Sequence, residues 1–223
     1  MHPKVYNYRC KEAMQMNSIS TQIENIMTEN KGKIYSIHDF YRLGTKNTIK
    51  SILYRLNEEG KITRLIDGLY TKPKFSEILN EYSYPDTNAV ADKIADKFSW
   101  TISPTGDTAL NYTGLSTQVP NEYVYISDGP YREYLYRNKK IIFKHTTNRN
   151  ITSYSKELSI LIQAIKAIGK NNISNNDIQK FTIFSKNISE DLLKDTLKLP
   201  FWIQEVLERI QKKNDEQTIT NFK

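Results

Sequence analysis

The sequence predicts an α+β protein built as two domains in tandem. Three observations predict it. Apolar residues recur at three- and four-residue steps up to Gly60, and short alternating runs follow around Asp67-Gly68 and again between Glu122 and Lys144. From Tyr154 to the end the helical period returns. The 223 residues give room for one large or two small domains, each with a real core.

The first helix is expected from Ser20 or Thr21 to Asn30. Glu24 stands three residues after Thr21, a capping-box spacing, and Ile19, Ile23, Ile26 and Met27 share one face. Residues 1–17 show neither period nor caps and read as a flexible leader, in which Met14 and Met16 are alternative starts. Gly32 breaks the chain, Ile34-Tyr35 is extended, and Ser36 caps a brief helix that Gly44 stops. Thr45 caps the next helix, from Lys46 to about Glu59, whose apolar stripe is Ile49, Ile52, Leu53 and Leu56. Its other side carries Asn47, Lys50, Ser51 and Tyr54. Two short runs flanking Asp67-Gly68 form a β-hairpin.

Helix, short helix, turn, longer helix and hairpin is the order of a winged helix-turn-helix, expected over residues 18–75. The third helix of such a module enters the major groove of duplex DNA, and the hairpin lies along the backbone. Asn47 has the chemistry to pair with adenine and Lys50 to reach guanine, while Ser51 and Tyr54 donate to phosphate. Thr45 and Lys46 begin the helix, where free backbone N–H groups meet an anion. Arg64 and Lys72 add positive charge on or beside the hairpin. These eight residues are the expected DNA-binding set.

Charge supports that assignment. The chain is +7 overall, and residues 1–75 hold 13 Lys and Arg against 7 Asp and Glu, whereas the remainder is nearly balanced. An excess concentrated in one module suits a polyanion.

Residues 76–86 read as a linker by composition, and residues 87–212 as a mixed α/β domain with a small antiparallel sheet and a helical C-terminal part. A helix from Asn88 to Phe98 buries Ala91, Ile94, Ala95 and Phe98. Trp100–Ile102 is a strand, and Asp107 caps a helix to Tyr112. Three strands follow, over Glu122–Ser127, Tyr131–Tyr136 and Lys140–Lys144. Four helices are then expected: Lys156–Ile168, Asn176–Phe184, Ser189–Leu197 and Pro200–Lys212. Residues 213–223 form a polar, flexible tail.

Several function classes are set aside. Cys10 is the single cysteine, so no internal disulfide forms, and with three histidines no Cys/His zinc site is expected. No run nears the roughly 18 apolar residues of a membrane span. The start Met1-His2-Pro3-Lys4 has no apolar core of a secretory signal, so a cytoplasmic protein is expected. No phosphate loop, carboxylate pair or nucleophile elbow is present, so neither catalytic residues nor a cofactor or metal are expected. Asp107 and Asp128 read as turn and cap chemistry, and His145 as structural. Two alternatives stand beside a DNA-binding repressor. One is a winged-helix regulator whose C-terminal domain senses a ligand through the tyrosine-rich strands from Tyr123 to Tyr136; the other is a DNA-processing enzyme.

The run Ser103-Pro104-Thr105-Gly106-Asp107-Thr108-Ala109-Leu110-Asn111, then Gly114-Leu115-Ser116-Thr117-Gln118-Val119-Pro120 and Ser127-Asp128-Gly129-Pro130, resembles AbiEi-type antitoxins of type IV toxin–antitoxin systems. Leu53-Tyr54-Arg55-Leu56, Glu59-Gly60-Lys61-Ile62, Gly68-Leu69-Tyr70 and Leu199-Pro200-Phe201-Trp202-Ile203 extend the resemblance over Ser18 to about Lys212. It implies a winged helix that represses its own operon; with the charge bias and the element order, binding is expected at an inverted repeat in its own promoter. It also implies that residues 87–212 are an antitoxin domain that counteracts a nucleotidyltransferase-like toxin without requiring a stable complex. Tyr54 and the polar Asn111-Tyr112-Thr113 depart from the pattern, at the reading helix and in local packing respectively.

Overall fold

Apolar side chains at helical spacing build two separate cores in the computed structural model, which describes residues 18–147, 153–186, 188, 192–193 and 196–220. The leader 1–17, with Met14 and Met16, lies outside the described residues. Contacts divide the chain into two units, residues 1–98 and 99–223. Seven α-helices are described, with a three-stranded, a two-stranded and a four-stranded sheet.

The first unit opens with helix α1 (18–29), so Ser20 and Thr21 lie inside the helix and do not cap it. Strand β1 (Ile34–Ser36) leads into a 3-10 turn, Ile37–Phe40. The Asp39 carboxylate closes that turn by accepting from the Ser36 backbone N–H at 2.5 Å and from the Ser36 hydroxyl at 2.9 Å. Helix α2 (Lys46–Glu58) is capped by Thr45, whose Oγ1 accepts from the Thr48 N–H at 3.3 Å. Gly60 ends it with φ +69. Strands β2 (Thr63–Ile66) and β3 (Leu69–Thr71) form an antiparallel hairpin across Asp67-Gly68, and β3 also pairs with β1.

One core joins these pieces. Ile23, Met27, Ile49, Ile52, Leu53 and Leu56 are all fully buried in it, and Tyr35 and Tyr70, cross-strand partners, complete it. All three residues of both β1 and β3 are buried, so this strand pair is covered on both faces. Helix α3 (Thr87–Phe98) packs against β1, burying Val90, Ala91, Ile94 and Ala95. Lys93 joins Asp39 in an ion pair at 3.0 Å, and Lys97 donates to the Asp67 carbonyl at 2.8 Å.

Three expectations are corrected by the structure. Helix α3, read as the start of the second domain, belongs to the first, because a strand pair buried on both faces needs a second layer. Phe98 does not join the core; it is 38% exposed, with the Lys97 ammonium 5.1 Å from its ring centre. The stretch assigned to a linker contributes to another hairpin, β4 (Lys74–Ser76) with β5 (Glu81–Ser83), held by edge-on packing of Phe75 and Tyr82.

The second unit contains β6 (Ile102–Pro104), α4 (Asp107–Tyr112), β7 (Glu122–Ser127), β8 (Arg132–Tyr136) and β9 (Lys139–His145). The sheet order is β6-β7-β9-β8. It is mixed, not purely antiparallel: β7 and β9 run parallel over six residue pairs. The β8–β9 hairpin folds back so that its second strand, the more apolar one, takes the centre and leaves β8 at the edge. The first strand lies two residues later than expected. Pro104 is tolerated in it because β6 is an edge strand. Asp107 is the first residue of α4 and does not cap it; Gly106, at φ 58, holds the cap position.

Helices α5 (Lys156–Ile168), α6 (Asn175–Ser185) and α7 (Phe201–Thr220) bury the second core, in which Leu161, Ile165, Phe181, Ile203, Leu207 and Ile210 are fully enclosed. Ser155 and Ser174 cap α5 and α6. Most of the helix expected over 189–197 lies outside the described residues, and Thr196–Lys198 is a 3-10 turn. Residues 213–220, read as a flexible tail, continue α7; residues 221–223 lie outside the described part.

Candidate nucleic-acid interface

Burying Ile49, Ile52, Leu53 and Leu56 on one side of α2 obliges Asn47, Lys50, Ser51 and Tyr54 to face solvent. All four are exposed, Tyr54 by 60% of its surface, and Thr45 and Lys46 at the helix start are exposed with them. The helix carries no acidic residue in its first turn. Its N-terminal half is therefore a cationic surface made by Lys46, Lys50 and the positive end of the helix dipole. Lys46 placed there works against the helix dipole, a cost that an anion bound at this end would offset. Neither lysine makes an ion pair among the described residues.

The other end of α2 differs. Arg55 pairs with Glu59 at 3.8 Å, and Lys61 reaches Glu59 at 3.0 Å and Glu24 at 3.4 Å. Hydrogen bonding to Glu59, and then the nearby Glu24 charge, raises the Lys61 pKa above the ordinary lysine value. These charges are satisfied within the protein.

The two hairpin cations are engaged as well. The Arg64 guanidinium pairs with Asp67 at the turn, and its backbone N–H donates to Asn57 Oδ1 at 2.8 Å. The Lys72 ammonium donates to Thr28 Oγ1 at 2.9 Å. The eight expected residues thus separate into six exposed along α2 and two tethered beside the hairpin. Gly68, at φ +73, permits the tight turn, and the Lys97 ammonium closes over it.

Two residues escaped the sequence reading. Arg42 is exposed three positions before the Thr45 cap and makes no ion pair among the described residues. It was legible as a basic residue three positions before a cap. Lys97 was not legible, because thirty residues separate it from the carbonyl it holds.

Asp39 ties the 3-10 turn to α3. Burial alone pushes its carboxyl pKa up, but the Ser36 backbone N–H, Lys93 and the Ser36 hydroxyl together outweigh that and hold it below the usual aspartate value.

In the second unit the candidate groups have structural partners. Asp128 Oδ1 accepts from the Thr101 N–H at 2.9 Å, and His145 Nδ1 lies 2.9 Å from the Gly129 carbonyl. Tyr123, Tyr125 and Tyr136 are buried, with Tyr125 stacked on Phe143 at 5.7 Å, whereas Tyr131 is exposed. Among the described residues no group of three His, Cys, Asp or Glu side chains is placed to hold a metal ion. No described helix is long and apolar enough to cross a membrane.

Fold and surface define the class: a two-unit α+β protein whose first unit exposes a polar, cationic helix face. Residues 21–193 match the family of unknown function DUF6088, and the chain belongs to that family. No curated protein matches the sequence.

Proposed function

We propose that the first unit is a winged helix-turn-helix that binds double-stranded DNA, with α2 as the reading helix and the β2–β3 hairpin as the wing. One observation carries this reading. The solvent face of α2 presents Lys46, Lys50, Asn47, Ser51 and Tyr54 on a helix whose N-terminus has no carboxylate to neutralise it. Major-groove recognition uses that combination of amide, ammonium and hydroxyl groups, while the backbone supplies the anions. Arg42 extends the cationic surface beyond the cap.

In this reading the protein represses its own operon at an inverted repeat and acts as an antitoxin of a type IV system. Its second unit counteracts a nucleotidyltransferase-like toxin without a stable complex. Support for the antitoxin role is the resemblance in residues 103–130, where Thr108 Oγ1 accepts from the Val124 N–H at 2.8 Å and ties α4 to β7. The experiment has two arms. Gel shifts compare duplex from upstream of the gene with random duplex, and co-expression with the adjacent gene scores growth rescue. Preference for the upstream duplex together with rescue is expected. Equal binding to both duplexes refutes the repressor, and absence of rescue refutes the antitoxin.

A further inference from the structure

Helix α5 is enclosed over eight consecutive residues, Leu158 to Ile165, yet two of them are polar. Ser159 is 3% exposed and Gln163 7%. Ser159, Gln163 and Lys166 stand four and three residues apart, so they form a stripe along one face. That stripe lines a cavity of about 320 Å³, bounded elsewhere by Lys198, Tyr154 and Leu199.

Its chemistry is one-sided. Two lysines line it, no carboxylate does among the described residues, and neither lysine makes an ion pair there. Desolvation lowers the pKa of the Lys166 ammonium from the ordinary lysine value, although Lys166, like Lys198, is exposed. The Ser159 Oγ is buried with no hydrogen-bond partner. A hydroxyl kept in that state inside a packed core is ordinarily replaced by alanine or given a partner. A hydroxyl without a partner, lining the same cavity as two ammonium groups that make no ion pair among the described residues, matches the donors that a phosphate takes.

The size points the same way. The cavity exceeds a lone phosphate and falls at the lower end of small-molecule sites, roughly 300–1,000 Å³. Leu199 and the Tyr154 ring supply the flat and apolar wall that an organic group needs.

We propose that this cavity binds a phosphate-bearing small molecule, with Lys166 and Lys198 on the anion, Ser159 donating to one of its oxygens, and Tyr154 and Leu199 against the organic part. The inference is independent of the DNA-binding reading, since it rests on the second unit alone.

The test is calorimetric titration of the full-length chain with inorganic phosphate, the four nucleoside monophosphates and the matching nucleosides. The phosphate-bearing probes are expected to bind and the nucleosides not. Tighter binding of a monophosphate than of inorganic phosphate supports the organic part on Tyr154 and Leu199, and the reverse overturns that part of the proposal. Lys166→Gln and Lys198→Gln are each expected to weaken binding by about tenfold, the loss of one charge-assisted hydrogen bond. Ser159→Ala is expected to weaken binding while leaving the ligand-free Tm unchanged or higher, because the hydroxyl has no partner to lose. Failure of every phosphate-bearing probe to bind overturns the proposal. Nucleosides binding as well as their monophosphates, or affinity unmoved in both lysine variants, overturns it too.

Discussion

Replacing Asp39 with alanine removes two supports of the first unit at once. The Ser36 N–H and hydroxyl lose their acceptor, and Lys93 loses its ion-pair partner. Loss of a cap of this kind costs about 1 kcal/mol. The pair with Lys93 is partly open to water, with side-chain exposures of 20% and 34%, so solvent screening limits it to about 0.5–1 kcal/mol. A total of about 1.5–2 kcal/mol corresponds to a fall in Tm of roughly 6–16 °C for a unit of this size. The two tryptophans, Trp100 and Trp202, both lie in the second unit, so their fluorescence reports that unit, whereas far-UV circular dichroism reports both. Asp39→Ala is expected to shift the dichroism transition and leave the tryptophan transition in place. The sign with pH is fixed. The folded pKa of Asp39 is lowered, so its contribution is full above the unfolded value of about 3.9 and is lost as pH falls through the folded value. The gap between wild type and variant therefore narrows below about pH 4. An unshifted dichroism transition at neutral pH, or an equal shift in tryptophan fluorescence, would refute the placement of α3 in the first unit.

Three further outcomes are expected. Gly129→Ala places a methyl group into the Trp100 ring, and at about 1–3 kcal/mol the overpacking lowers the tryptophan-monitored urea midpoint; an unchanged midpoint contradicts that packing. Asp67→Asn releases the Arg64 guanidinium and removes a negative charge from the hairpin turn. DNA affinity by fluorescence anisotropy should rise severalfold, and a fall would show that the hairpin does not face the duplex. Asn47→Ala should reduce discrimination between operator and single-base variants at one position by about 1–3 kcal/mol, and uniform weakening across all sequences would move Asn47 from base reading to backbone contact.

Local features of the fold were legible because local chemistry specifies them. Thr45 announces its helix, Gly60 ends it, and the stripe Ile49, Ile52, Leu53 and Leu56 fixes which side of α2 meets solvent. Long-range pairing was not legible in the same way. Alternation in Glu122–Ser127 separates Tyr123, Tyr125 and Ser127, which the structure buries, from Val124 and Ile126, but it carries no record of the neighbour's direction, so the parallel β7–β9 pair was missed. Proline content between Pro73 and Pro85 suggested a boundary, whereas a hairpin forms there and α3 beyond it returns to cover β1. The polar stretch after Lys212 looked too hydrophilic to stay ordered, yet α7 runs on to Thr220, and Asn214 Nδ2 donates to the Ser185 hydroxyl at 2.9 Å. The exposed half of the candidate interface followed from one helical wheel. The tethering of Arg64 and Lys72 depended on which partners the folded chain brought near.

The most direct test of the reading head is the salt dependence of binding to the upstream duplex, measured for wild type and for the Lys46→Ala/Lys50→Ala variant. Each phosphate neutralised contributes about −0.9 to the slope of log K against log salt. If α2 lies against DNA, the variant's slope is shallower by about 1.8. An identical slope in the two proteins would mean that these lysines never meet phosphate, and that the cationic face of α2 serves some other contact.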